Sequence, residues 1–214
     1  MFFISHSSVR QIRHVPRRMF YRSVFGILYA TSLSFISCEK KAPEPTITYP
    51  PEQVQFHAMN STYPNAYKQA PNEIKKSAVF NACNQWRTQF VKEHGGTAQN
   101  WIGKVKSIRT DQGGDHAYIV IVSTAGDFAV SFETGDELLP SFDTFMQFGK
   151  TTSLEKGTKV YDEVGSLKEG QYVRFTAKFA KDKERGVKEA SVTEEGCVDE
   201  PEFVMCFDDI SPYP

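Results

Sequence analysis

Residues 101–133 read WIGKVKSIRTDQGGDHAYIVIVSTAGDFAVSFE, and their hydrophobic period is two. Trp101, Gly103, Val105 and Ser107 alternate with Ile102, Lys104, Lys106 and Ile108, which predicts a strand with incompletely segregated faces. Gly113 and Gly114 can adopt positive φ without a Cβ clash, so Asp111–Asp115 reads as a hairpin turn. Ala117–Ser123 is the strongest strand pattern in the chain, Ala125–Asp127 a second tight turn, and Phe128–Glu133 a third strand. The stretch is therefore a three-stranded meander.

Outward from it, regularity lapses over 135–169 and then returns. Tyr172, Arg174, Thr176 and Lys178 alternate with Val173, Phe175, Ala177 and Phe179, a half-buried strand. Lys181–Gly186 is a charged turn, Val187–Thr193 its return strand, and 203–207 a short apolar closing segment. Between the two β regions, Gly157–Asp162 reads as a short strand, and Leu138, Leu139, Phe142, Phe145, Met146 and Phe148 as one face of a short helix or a packed loop. On the other side, 61–96 is helical. Ile74, Ala78, Ala82, Trp86 and Phe90 recur at steps of four, Lys75, Lys76, Gln85, Arg87 and Lys92 fall off that stripe, and Gly95–Gly96 is the stop. Gly103 lets its strand bend, and Gly170 sets the turn into the next one.

The expected class is α+β and mainly β: an OB-like five-stranded barrel over 97–214, preceded by an N-terminal amphipathic helix within 61–96. Trp101-Ile-Gly-Lys-Val, the GGDHAYIVIV hairpin and Leu167-Lys-Glu-Gly-Gln-Tyr-Val-Arg-Phe-Thr-Ala carry the second part of that statement. They resemble the W-x-G-x-V … L-x-x-G-x-x-V-x-x-x-G pattern of OB-fold, tRNA-anti-like domains found in small bacterial envelope lipoproteins. The resemblance spans roughly 101–207. Ala177 replaces the glycine expected in mid-strand, and the connection around 140–165 is longer than the pattern.

The chain's start points to the same class of protein. Residues 23–37 contain no charge, and Arg10, Arg13, Arg17, Arg18 and Arg22 precede them without an acidic residue, the layout of a signal segment over 1–37. Met1 or Met19 is its first residue. Leu33-Ser-Phe-Ile-Ser-Cys38 resembles the lipobox of bacterial lipoproteins, with Ser37 as the small residue before Cys38 and Phe35 where leucine is usual. That resemblance implies lipidation at Cys38. Four prolines lie in 39–51, so 38–60 is read as lipid-attachment cysteine plus extended tether.

Charge and cysteine content narrow the function. The whole chain carries 25 Lys+Arg against 26 Asp+Glu; without the five leader arginines, 20 face 26, a net charge of −6 from Cys38 onward. An acidic chain is a poor phosphate-backbone binder, and 117–132 contains no Lys or Arg beside Tyr118, Phe128 and Phe132, so no nucleic-acid partner is expected. Cys197 and Cys206 flank CVDEPEFVMC and are spaced to bridge; Cys83 pairing with one of them, or three reduced thiols, are the alternatives. The chain has no C-x-x-C, G-x-x-x-x-G-K, G-x-S-x-G or H-E-x-x-H, and His57, His94 and His116 stand without ligand partners at metal spacing. No catalytic residue, metal or cofactor is assigned.

The expectation is a non-enzymatic binding module in the bacterial cell envelope, lipid-anchored and facing the periplasm or the cell exterior. Its partner would be an envelope protein, as for an accessory factor, an inhibitor or a surface-exclusion protein. Leu138, Leu139, Phe142, Phe145 and Phe148 form the candidate partner surface, being apolar in a connection. Two rivals remain. An envelope enzyme would use Asp143, Glu155, Asp162 or Glu163 as acid or base, and a small-ligand or cation binder would use Glu194, Glu195, Asp199, Glu200, Glu202, Asp208 and Asp209.

Overall fold

The computed structural model describes residues 46–135 and 152–214. The signal segment, Cys38, the first part of the tether, Asp143 and the partner surface Leu138–Phe148 lie outside the described residues. Three helices open the described chain: α1 (Pro51–Asn60), α2 (Tyr63–Gln69) and α3 (Glu73–Glu93). Then follow β1 (Thr97–Thr110), β2 (His116–Ser123), β3 (Val130–Glu133), β4 (Leu154–Glu155), α4 (Lys159–Gly165) and β5 (Tyr172–Phe179). The two-residue strands β6 (Lys181–Asp182) and β7 (Gly186–Val187), α5 (Glu194–Asp199) and β8 (Glu202–Pro212) complete it.

Five strands close into a mixed barrel. β1 pairs with β2, β2 with β3, β3 with β8, β8 with β5 and β5 back with β1; only β3 and β8 run parallel. Closure depends on the length of β1. Its first half pairs with β5 (Trp101 opposite Phe175) and its second half with β2 (Ile108 opposite Ile119), and register shifts mark where it bends. Between those two shifts Gly103 is obligatory, since a Cβ there would overlap Ile121 Cγ2 and come within 3.0 Å of Val122 O. Gly170 turns the chain into β5 at φ +80°.

Alternation fills the interior. Val173, Phe175, Ala177 and Phe179 of β5 are buried and meet Ile119, Ile121 and Phe132 across the barrel. One end, where β8 begins, is stoppered by α1 and α3: the Phe56 ring lies 5.2 Å from the rings of Phe90, Trp101 and Phe203. Towards the other end of β8, α4 sets Val164 into the same core, and Glu163 Oε2 accepts a hydrogen bond from Ile210 N at 3.3 Å.

Four sequence expectations need correcting. The tether does not reach residue 60, because α1 occupies 51–60 with Gln53, Phe56, His57 and Asn60 fully buried. Pro51 starts that helix where no amide donor is needed. The fifth barrel strand is β8, not 187–193; β7 is two residues long, and Glu189 then meets Phe203 in a single bridge. Residues 157–162 enter a helix, not a strand: Thr158 Oγ1 accepts from Tyr161 N and caps α4. On α3 the buried face is Phe80, Cys83, Arg87 and Phe90; Ile74, Ala78 and Ala82 are exposed.

Arg87 is the least expected of these. It is 1 % exposed, yet every polar atom has a destination: Nε donates to Asn60 Oδ1 (2.7 Å), one terminal nitrogen to Glu189 Oε1 (2.7 Å) and the other to Cys197 O (3.0 Å). Its guanidinium stands 5.1 Å from the Phe203 ring centre. One side chain thus ties α1, α5 and the segment before it to α3. Burial pushes the Glu189 carboxyl above its ordinary range, and the Arg87 charge offsets that only in part. Glu189 is therefore the half of the pair that tolerates neutralisation. Arg87→Met should lower unfolding free energy by ~3–5 kcal/mol, because the buried acceptors Asn60 Oδ1, Glu189 Oε1 and Cys197 O all lose their donor, whereas Glu189→Gln, which keeps an acceptor for Arg87, should cost about 1 kcal/mol. Urea midpoints of the two variants check the order, and equal losses would contradict it.

Candidate functional site

A groove of about 750 Å³ opens beside the barrel, between α1, the first turns of α2, the β2–β3 turn and the end of α5. It exists because Phe56 fixes the rotation of α1. With Phe56 in the barrel mouth, Gln53 is carried onto β1 and β2 and His57 onto the β2–β3 turn. Gln53 Nε2 donates to Ile102 O (2.6 Å) and Ser123 Oγ (2.7 Å), and its Oε1 accepts from Ile102 N (2.9 Å). The amide bridges β1 and β2 where their own ladder has yet to begin, one residue pair before Lys104 opposite Val122.

His57 forms part of the groove wall and is fully buried. Its Nδ1 lies 3.0 Å from Phe128 O. A carbonyl only accepts, so Nδ1 carries the proton and Nε2 is left as an acceptor. Among the described residues that atom is buried without a hydrogen-bond partner. Burial lowers the His57 pKa, with the Phe128 bond acting against it, so the ring is neutral at physiological pH. On the facing wall Lys68 Nζ and Asp199 Oδ2 pair at 2.7 Å, leaving Asp199 Oδ1 buried and unpartnered among the described residues. Asp127 and Glu200 add exposed carboxylates. The groove offers acceptors in excess of donors, which suits a ligand bearing N–H groups.

A second concavity, about 440 Å³, lies on the outside of the α2–α3 hairpin. Its floor is Ala66, Ala70, Ala78, Val79 and Ala82. Next to it Ile74 is 81 % exposed. Here is where the apolar stripe expected of the core ends up. α3 has two apolar faces, and the one at Ile74, Ala78 and Ala82 faces outward.

The other candidate residues are dispersed. Glu163 is held by Lys159 (2.8 Å) and by Ile210 N, while Glu155 and Asp162 are exposed outside both concavities. Among the acidic residues of the C-terminal segment, Glu194 accepts from Ser77 Oγ (3.1 Å), Asp208 pairs with Lys178 (2.9 Å) and Asp209 with Lys159 (2.6 Å). Among the described residues no group of three or more His, Cys, Asp or Glu is placed to hold a metal ion.

Cys197 and Cys206 are not bridged. Cys197 is fully buried on α5, with its thiol against Glu189 and 3.4 Å from Ser191 O, whereas Cys206 lies in β8 opposite Lys178. Burial pushes the Cys83 thiol up to about 11 and the Cys197 thiol up to about 12, which keeps both protonated and unreactive. His94 caps α3 through Nδ1 and Phe90 O at 2.8 Å, and His116 meets Ser153 Oγ at 3.2 Å.

No family model matches the chain, and neither a curated protein nor a solved structure does.

His57 makes the groove wall pH-sensitive. Its folded pKa lies below the unfolded value of 6.5, so its share of stability is present above pH 6.5 and is lost as pH falls through that value towards the folded pKa. The urea midpoint should therefore fall between about pH 7.5 and about pH 5.5. His57→Gln, which keeps a donor for Phe128 O, should flatten that fall; an unchanged slope would show that His57 is not its source.

Proposed function

We propose that this chain is a non-enzymatic binding module with an OB-like barrel, held on a bacterial envelope membrane through Cys38, with an envelope protein as its partner. The OB-like assignment is supported by strand order. A meander of three strands, a helical connection through α4, then a strand closing on the first and a last strand parallel to the third is compatible with an OB arrangement. The anchor is supported by the sequence alone, through Leu33-Ser-Phe-Ile-Ser-Cys38 and the uncharged run before it. Among the described residues no helix is long and apolar enough to cross a membrane.

One observation carries the protein-partner reading: the outward face of α3. Ile74 at 81 % exposure beside an alanine-floored hollow is surface that water penalises and that a complementary side chain would cover. A second reading, a small ligand with N–H donors, is favoured by the groove, where His57 Nε2 and Asp199 Oδ1 both lack donors among the described residues.

The two halves of the proposal are tested separately. A palmitate analogue fed to the producing cells should label the wild-type chain and not Cys38→Ala; an unlabelled wild type ends the anchor reading. A photo-crosslinking amino acid at position 74 should trap a protein adduct in the native envelope that the same group at exposed Glu93 does not. Ala78→Glu should reduce that adduct at least about tenfold, the effect of placing a charge in an apolar contact. Equal adducts from positions 74 and 93 would overturn the α3 surface.

A further inference from the structure

The groove beside α1 has acceptors on two facing walls, and its charge is one-sided. On one wall His57 and Asp127 stand together, because His57 Nδ1–H donates to the carbonyl of Phe128, the residue after Asp127. On the other, Asp199 ends α5 and Glu200 follows it, beside Lys68 of α2, whose ammonium pairs with Asp199 Oδ2 at 2.7 Å. Glu195 and Glu200 also act on that ammonium. Among the described residues no other Lys or Arg lines the groove. Three lining carboxylates therefore face one ammonium, a net charge of −2 with His57 neutral.

Acidic side chains alone make a solvated surface, and His57 is what distinguishes this one. Its ring is fully buried in the groove wall, and among the described residues Nε2 meets no donor; Asp199 Oδ1, on the facing wall, is in the same condition. A buried acceptor without a donor is destabilising, and a ligand that brings an N–H to it removes that penalty. Lys68 shows how such a donor is seated. Its side chain is 57 % exposed, so a free ammonium can take its position on Asp199 at the expense of one surface ion pair, which is worth little. Much of the remaining lining is apolar, with Val54, Ala58 and Pro64, and the rings of Tyr49 and Phe128 are of the kind that attract cations.

Resting on the reading of the groove as a site for a small ligand with N–H donors, we infer that this ligand is a linear aliphatic diamine or polyamine. One ammonium displaces Lys68 at Asp199 and Glu200, another sits at Asp127 and His57 Nε2, and the methylenes run along the apolar lining. The class follows from the layout. Two walls of acceptors call for two donor-bearing ends, a net charge of −2 calls for two cations, and the apolar stretch calls for a connecting chain that brings no acceptor of its own. A volume of about 750 Å³ lies within the range of small-molecule sites and is ample for such a chain.

The test is calorimetric titration of the full chain in detergent with α,ω-diaminoalkanes of increasing length. The matching monoamines have one charged end, and the N,N′-diacetyl derivatives keep an N–H at each end without charge. One diamine length should bind at least about tenfold more tightly than its monoamine and its diacetyl derivative, and salt at about 0.5 M should weaken it. Asp199→Asn should lower that affinity about tenfold, the scale of one charge-assisted hydrogen bond. Asp127→Asn, at an exposed turn position, should do the same and keeps the test decisive if Asp199→Asn fails to fold. Lys68→Gln should act in the opposite direction and tighten binding about threefold, because the competing ammonium is gone. Diamines no better than monoamines, or weaker on Lys68→Gln, would overturn the inference. Tight binding of the diacetyl derivatives alone would overturn it and keep the broader reading of the groove, whereas binding of none of the three would remove both. Displacement of the diamine by a lysine-containing peptide at lower concentration would reassign the groove to a basic segment of a protein.

Discussion

The constraint on which the rest of the molecule depends is the filling of one barrel mouth by Phe56. Five strands enclose a core too wide at its end for their own side chains, and the Phe56 ring closes it by meeting Trp86, Phe90, Trp101, Phe132, Phe179 and Phe203 at centroid distances of 5.2–6.5 Å. Once that ring is seated, α1 has no rotational freedom. Gln53, His57 and Asn60, at i−3, i+1 and i+4, are delivered to β1, to the β2–β3 turn and to Arg87 respectively. The groove, the bridged gap between β1 and β2 and the buried ion pair all inherit their geometry from one aromatic contact.

The same arrangement explains what could be read from the sequence. β5 alternates cleanly and β2 is a near-continuous apolar run, so both are legible, as are the turns at Gly114 and Gly170 with their positive φ. α1 was not, because three of its four buried residues are polar and their partners lie 27 to 71 positions away. Apolar periodicity cannot report a face whose burial is satisfied by amide and imidazole hydrogen bonds. α3 misled for the opposite reason: it has two apolar faces, and the step-of-four series through Ile74, Ala78 and Ala82 follows the one that faces out. Arg87 falls off the expected stripe, and nothing local announces Glu189, Asn60 and Cys197 O as its acceptors.

The late strands show how length outweighs composition. Val187–Thr193 has β-branched residues, but a two-residue hairpin followed by a single bridge is all that forms there. β8 has two adjacent aspartates and a proline, yet pairs over seven positions with β5 and three with β3. Asp208 and Asp209 are tolerated because the register shift between Thr176 and Ala177 falls opposite them, and Lys178 and Lys159 meet their carboxylates at the surface. The candidate surfaces were legible only as far as residue type goes. An exposed isoleucine and a buried histidine are indistinguishable in sequence from their opposites.

Charge placement gives the architecture a direction. Lys159 joins Glu163 of α4 to Asp209 of β8, and those two bonds hold its ammonium well above its usual range. Lys178 does the same service for Asp208. Surface pairs of this kind add little stability, about 0–1 kcal/mol each, but they neutralise β8 where it leaves the barrel. Carboxylates gather around α5 and the groove, and cations lie along β1 and β5. Glu189 sits between these regimes: buried with Arg87 and raised in pKa, it contributes its hydrogen bond more than its charge. The interior thus keeps the excess positive charge of Arg87 next to aromatic and carbonyl faces, and the negative charge of the chain is confined to surfaces, where water screens it and a cationic or N–H-bearing partner can reach it.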